Sequence, residues 1–235
     1  MNVHQLIERH NGQLVWSFSQ DEDYVLDHLK AANICVPLSA HWIRYHSQND
    51  SLVNHLDPNR DGAVNTGLLQ YMSVLRSFLN PDFVGLSYAN LALFLQMHGL
   101  LPLYSSYDQT ILSFPDGDNS PQLLDTLHCR KERFVREKKY NMDIECSITR
   151  ALKALAHCYA CVSFDGSEYG HMTAAWIGGS NQTEGDACYF DPNFGEIWFK
   201  RRQDFFAFYP EYYRKRYKGY GFVFGWRVYP CAPVK

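Results

Sequence analysis

No stretch of the 235 residues approaches the roughly 20 consecutive apolar side chains that crossing a bilayer requires, so a membrane-spanning chain is not expected. A long basic run is missing too, and the formal net charge is −3. The short clusters Arg130-Lys131-Glu132-Arg133 and Arg214-Lys215-Arg216 read as solvated faces, which argues against nucleic acid as the principal partner. The opening Met1-Asn2-Val3-His4-Gln5-Leu6-Ile7-Glu8 lacks the charged-then-apolar layout of a secretory signal peptide. Folding in a cytosol is expected, with any export by a route that these residues do not reveal. The seven cysteines are odd in number and follow no regular disulfide spacing, which suits reduced thiols. Nor is there a second CxxC to join Cys158-Tyr159-Ala160-Cys161, which His157 precedes, so structural zinc is not expected. The run from Cys158 to Phe164 reads as a strand, with the two cysteines at odd spacing on opposite faces of a buried β element. No metal or cofactor is called for.

The chain does carry enough apolar residues, 46%, to bury a full core, and one domain over residues 1–235 is expected. Leu14 to Phe18 form a short strand pattern. Leu68, Leu69, Met72, Leu75, Phe78 and Leu79 recur at helical spacing and stop at Asn80-Pro81. A second helix is expected from Ser87 to His98, closed by Gly99, and Ser120-Pro121 looks like the cap and first turn of another. Ile144, Ile148, Leu152 and Leu155 keep an i, i+4, i+8 stripe. From there the pattern is mostly β, through Glu196-Ile197-Trp198-Phe199 and the closing Gly221 to Tyr229. Helices over about 20–156 followed by an antiparallel sheet over about 157–235 predict an α+β fold, a helical lobe packed on a sheet lobe. The aromatic run of Phe205, Phe206, Phe208, Tyr209, Tyr212, Tyr213 and Tyr217 reads mainly as packing, with some of its rings available to line a groove.

Against this frame one cysteine stands out. Cys35, in Asn33-Ile34-Cys35-Val36-Pro37-Leu38-Ser39-Ala40-His41-Trp42-Ile43, stands where a loop turns into an amphipathic helix. Leu38, Trp42 and Tyr45 fall on one face, and Pro37 is tolerated because first-turn residues need no intrahelical donor. A thiolate at that terminus is stabilised by unpaired backbone N–H groups and by the helix dipole. A cysteine beside a helix is more often filler than nucleophile, so the assignment needs a second feature.

That feature is a hairpin. Gly170 to Ile177 and Ala187 to Asp191 are apolar runs flanking a loop rich in Gly, Ser and Asn. A turn centred near Asn181 sets His171 directly opposite Asp191, with Cβ atoms roughly 5 Å apart on one face. The carboxylate would then accept the imidazole N–H and orient the ring, as the base and orienter of a triad do. A slip of one residue would separate them onto opposite faces. Taken singly, His171 is an ordinary strand-end histidine and Asp191 a turn former in Asp-Pro-Asn; the coincidence with Cys35 is what ordinary readings do not predict.

At Ile34-Cys35, Leu38-Ser39, Trp42-Ile43, Gly170-His171 and Phe190-Asp191-Pro192-Asn193-Phe194-Gly195, the chain resembles the papain-like cysteine proteases of the YopT/AvrPphB type, bacterial effectors delivered into host cells. The order Cys, His, Asp and the gaps of 136 and 20 residues look like that family. The resemblance implies a papain-like fold with Cys35 as nucleophile, His171 as general base and then acid, and Asp191 as orienting carboxylate. It further implies an oxyanion donor from an upstream amide, for which Gln20 and Asn33 are the candidates; Gln20 is favoured because it follows the strand pattern of Leu14–Phe18. The family often has glycine near the position of Asn33, a departure here. The activity implied is that of a thiol endopeptidase acting on a host protein, a small GTPase or a kinase being the class of target. Secretion into the host cytoplasm by a specialised system, without a signal peptide, and a monomeric state are expected. The same triad would also serve a glutamine deamidase or an acyltransferase, and a non-catalytic module that binds a host protein is the alternative of a different class.

Overall fold

The computed structural model describes residues 2–27, 33–79, 84–103, 144–165, 170–179, 184–217 and 225–234. Among these residues seven strands, β1 Gly12–Ser17, β2 Leu100–Pro102, β3 Cys158–Asp165, β4 Gly170–Ile177, β5 Ala187–Asp191, β6 Gly195–Phe199 and β7 Gly225–Pro233, form one sheet. Its order is β1-β6-β5-β4-β3-β7-β2, and every pairing is antiparallel. The helices are α1 Val3–Arg9, α2 Asp23–Leu26, α3 Cys35–Ser47, α4 Leu52–Leu56, α5 Thr66–Leu79, α6 Val84–Met97, α7 Ile144–Lys153 and α8 Arg202–Arg216.

Alternation along each strand sends side chains to two faces, and each face is buried under its own helices. On one face Cys158, Ala160, Val162 and Phe164 of β3 join Ala175, Tyr189 and Ile197 in a core with α1, α7 and α8. On the other, Tyr159, Cys161, Met172, Ala174, Cys188 and Phe190 pack with α3, α4, α5 and α6. Cys158 and Cys161 do fall on opposite faces, as their odd spacing requires.

The chain order of helix and sheet is not the division in space. β1 and β2, far apart in sequence, close the two edges of the sheet, while α8 lies inside the stretch expected to be strand. The reason is the composition of α8: Phe205, Phe208, Tyr209 and Tyr212 make up its buried face, while Pro210 and the aromatic content argue against helix on local preference alone. Burial against the sheet overrides that preference.

α3 also departs from the simple amphipathic reading, because every residue from Cys35 to Ile43 is buried. Its sheet side is tied down by Ser39 Oγ, which donates to Met172 O at 3.0 Å, and by Trp42 Nε1, which donates to Glu196 Oε2 at 2.8 Å. Its far side is covered by α5 and α6, where His41 meets Tyr71 and Phe94. Burial pushes the His41 pKa down to about 4, against its hydrogen bond to Pro37 O. The expected helix ends at Leu79 and at Gly99 are found, the latter at φ +74, although α6 opens at Val84, ahead of Ser87. The polar loop between α4 and α5 is held by Asp57, whose carboxylate accepts the N–H groups of Asp61 and Gly62 at 3.2 and 3.3 Å. The helix expected at Ser120-Pro121 lies outside the described residues, as do Gly221 to Phe224.

Candidate active site

Cys35 is the first residue of α3. The first intrahelical bond runs from Leu38 N to Ile34 O at 3.0 Å, and Pro37 has no N–H, so the helix itself does not use the Cys35 and Val36 N–H groups. Asn33 takes φ +66, the left-handed region that glycine favours and asparagine tolerates. The departure from glycine at this position therefore keeps the turn that feeds the helix.

His171 is the second residue of β4 and Asp191 the last of β5, so both stand at the same end of the sheet. Their register differs from the expected one by two residues. Ala174 pairs with Phe190 and Ile177 with Ala187, which centres the turn one residue later than Asn181 and sets position 173 opposite Asp191. A shift of two preserves the face, whereas a shift of one would not. His171 therefore meets Asp191 on the diagonal, Nε2 to Oδ1 at 3.0 Å. A carboxylate only accepts, so Nε2 carries a proton, and Nδ1 is an acceptor only while the ring is neutral.

The Cys35 thiol lies close enough to the imidazole to act on its pKa. His171 and Asp191 belong to the sheet face under α8 and Cys35 to the helix on the other face; they meet past the strand ends. Both dyad residues are buried, His171 to 5% and Asp191 to 0% exposure. Burial by itself would lower the His171 pKa, but the charge and hydrogen bond of Asp191, then those of Cys35, raise it to about 10. Burial would raise that of Asp191; the His171 charge and the bonds from His171, Tyr212 and Tyr217 hold it below the usual carboxylate range instead. The arrangement thus favours an imidazolium beside a carboxylate, with a thiol in reach.

The turn after Asp191 is gripped from two sides. Gln20 N donates to Pro192 O at 2.8 Å and Gln20 Nε2 to Asn193 Oδ1 at 2.6 Å, while Arg216 donates to Asn193 O at 2.9 Å. Gln20 is buried, and its Oε1 has no partner among the described residues. Its amide has a second N–H beyond the one given to Asn193. Asn33, the other amide candidate, is exposed. Neighbouring Asp21 is shifted upward by burial; His171 opposes this, Asp191 adds to it and Arg216 opposes it. Gly195 allows the approach of β1: its φ is +118, and an added Cβ would lie 2.0 Å from Trp16 O.

Sequence reasoning missed Tyr212, Tyr217 and Asn193 as partners of Asp191. The available signal was the tyrosine content of the aromatic run, because a buried tyrosine hydroxyl needs a partner that phenylalanine does not.

A family model described as Yersinia/Haemophilus virulence surface antigen, Peptidase_C58, matches residues 4–69, the stretch that carries β1, Gln20 and Cys35. The cysteine protease yopT1 of Yersinia enterocolitica is 25% identical over 218 residues, which cover 86% of this chain. The Pseudomonas avirulence protein AvrPphB superposes with a TM-score of 0.54 at 15% identity, over 93% of this chain and 96% of its own. The chain is similar to papain-like cysteine proteases of the YopT/AvrPphB type. Its α+β fold is papain-like, shared with AvrPphB. The chain spans 58% of the length of the yopT1 relative.

Proposed function

We propose that residues 1–235 form one YopT/AvrPphB-type thiol endopeptidase domain with Cys35 as nucleophile, His171 as base and acid, and Asp191 as orienting carboxylate. The observation that carries the reading is the buried hydrogen bond from His171 to Asp191, with the Cys35 thiol of the first turn of α3 close enough to act on the imidazole. The thiolate adds to a peptide carbonyl, and the oxyanion is received by the Cys35 N–H and the second N–H of Gln20. His171 then gives its proton to the leaving amine, the C–N bond breaks, and a thioester remains. Water, deprotonated by His171, adds to that thioester and releases the new carboxyl group and the thiol.

The substrate is a host protein, with a small GTPase or a kinase as the class, and the protein acts as a monomeric virulence effector delivered into the host cytoplasm by a specialised secretion system. The named relatives, a cysteine protease and an avirulence protein, support the effector protease part of this reading; the target class, the monomeric state and the route of delivery rest on the family resemblance of the sequence. The test is incubation of the wild type and of Cys35→Ala with host lysate, followed by sequencing of new protein N-termini. New termini made by the wild type alone are expected. Cleavage retained by Cys35→Ala would overturn the assignment. A target that gains about one mass unit with its chain intact would make the reaction deamidation, and a lysate unchanged by the wild type would favour the binding module.

A further inference from the structure

A buried carboxylate whose task is to hold an imidazole needs both of its oxygens occupied, or it can turn about its own bond. Asp191 is fully buried, and each oxygen has two partners. Oδ1 accepts from His171 Nε2 at 3.0 Å and from Asn193 N at 2.8 Å. Oδ2 accepts from the Tyr212 hydroxyl at 2.6 Å and from the Tyr217 hydroxyl. The carboxylate thus has four donors for about four lone-pair sites.

We propose that Tyr212 and Tyr217 are positioning residues of this site, clamping Asp191 through Oδ2 so that Oδ1 stays aimed at His171. The inference rests on the triad reading above. The choice of donor has a physical reason, since a cation on Oδ2 would compete with the imidazolium for the carboxylate charge, while a neutral hydroxyl fixes the geometry and leaves that charge in place. Tyr212 lies inside α8. Tyr217 is its C-cap, and the two side chains, five residues apart, converge on one oxygen. Tyr217 does a second task, because its ring packs against the His171 ring at 5.2 Å between centroids. Arg216, from the same turn of α8, holds Asn193 O, so the helix end grips both the carboxylate and the turn behind it.

The same cluster contains an internal control. Tyr209 is buried in α8, and its hydroxyl has no partner among the described residues. Tyr212→Phe, Tyr217→Phe and Tyr209→Phe each remove one hydroxyl and keep the ring. Two readouts are taken: turnover of the host protein that the wild type cleaves, and solvent exchange of the His171 Nε2–H proton by NMR, which needs no substrate. Tyr212→Phe and Tyr217→Phe are each expected to lower kcat about tenfold with KM within about twofold, and to speed that proton's exchange at least tenfold. Tyr209→Phe is expected to change neither. Folded Tyr212→Phe and Tyr217→Phe variants with wild-type kcat and exchange would overturn the proposal. So would loss of fold in both while Tyr209→Phe remains folded, because the hydroxyls would then be structural. If the wild type cleaves nothing, the endopeptidase reading fails by itself, and the proton exchange still decides this one.

Discussion

His171 reaches Asp191 along a diagonal of the sheet: the pairing of Ala174 with Phe190 sets Asp191 opposite position 173, yet Nε2 and Oδ1 are 3.0 Å apart. The diagonal leaves Oδ2 pointing away from the imidazole, toward the two tyrosine hydroxyls at the end of α8. The carboxylate that holds His171 is thus itself held by a helix on the opposite side of the sheet to α3.

Asp191→Asn keeps the shape of the side chain and removes its charge. Turnover is expected to fall by a factor on the order of 10²–10⁴ without vanishing, because the nucleophile and the oxyanion donors remain. Steady-state kinetics on the cleaved host protein measure it; wild-type turnover in the variant would remove Asp191 from the machinery.

Stability should depend on pH through the dyad. The His171 pKa is raised in the folded state, so its contribution is complete below the unfolded value near 6.5 and is lost as pH rises toward about 10. Asp191 is shifted down, so its contribution is present above the unfolded value near 3.9 and is lost in acid. Thermal melts at pH 6, 8 and 10 should show the wild type losing its advantage over His171→Gln as pH increases. An advantage that grows with pH would contradict the assignment of the shift.

Gly195→Ala should destabilise the protein by roughly 2 kcal/mol or more, since a Cβ at φ +118 meets the Trp16 carbonyl at 2.0 Å. β1 would be forced off β6, and with it the approach of Gln20 to Pro192 and Asn193. Denaturant unfolding measures the first effect and residual turnover the second. A variant as stable as the wild type would show that the edge can shift to admit the methyl group.

Alkylation of the native protein should separate the cysteines. Burial pushes Cys158 and Cys161 up to about 12 and raises Cys188 and Cys231 well above the ordinary thiol range. Iodoacetamide followed by peptide mapping is expected to modify Cys35 and the exposed Cys146 first, with those four labelled only after unfolding. Rapid labelling of Cys161 in the folded state would contradict its place in the core.

The local chemistry of the site is legible in the amino-acid sequence. Cys35 at a helix start, Pro37 in the first turn, and strands around His171 and Asp191 follow from residue preferences and from alternation, which act over a few neighbours. Even the misjudged turn centre kept the dyad on one face, because the error was of two residues and the strand period is two. The strand at Cys158 and the helix end at Gly99 are legible for the same reason.

α8 is not legible, because Pro210 stands in its interior and its aromatic residues favour strand when considered singly. The partners of Asp191 are not legible either: Tyr212 and Tyr217 are 21 and 26 residues away, and nothing local tells which buried hydroxyl finds which oxygen. The amino-acid sequence alone determined which short elements carry Cys35, His171 and Asp191. The tertiary structure decided how the two faces of the sheet bring them to one end, since that depends on burying apolar surface across the whole chain, an interaction without direction or sequence range.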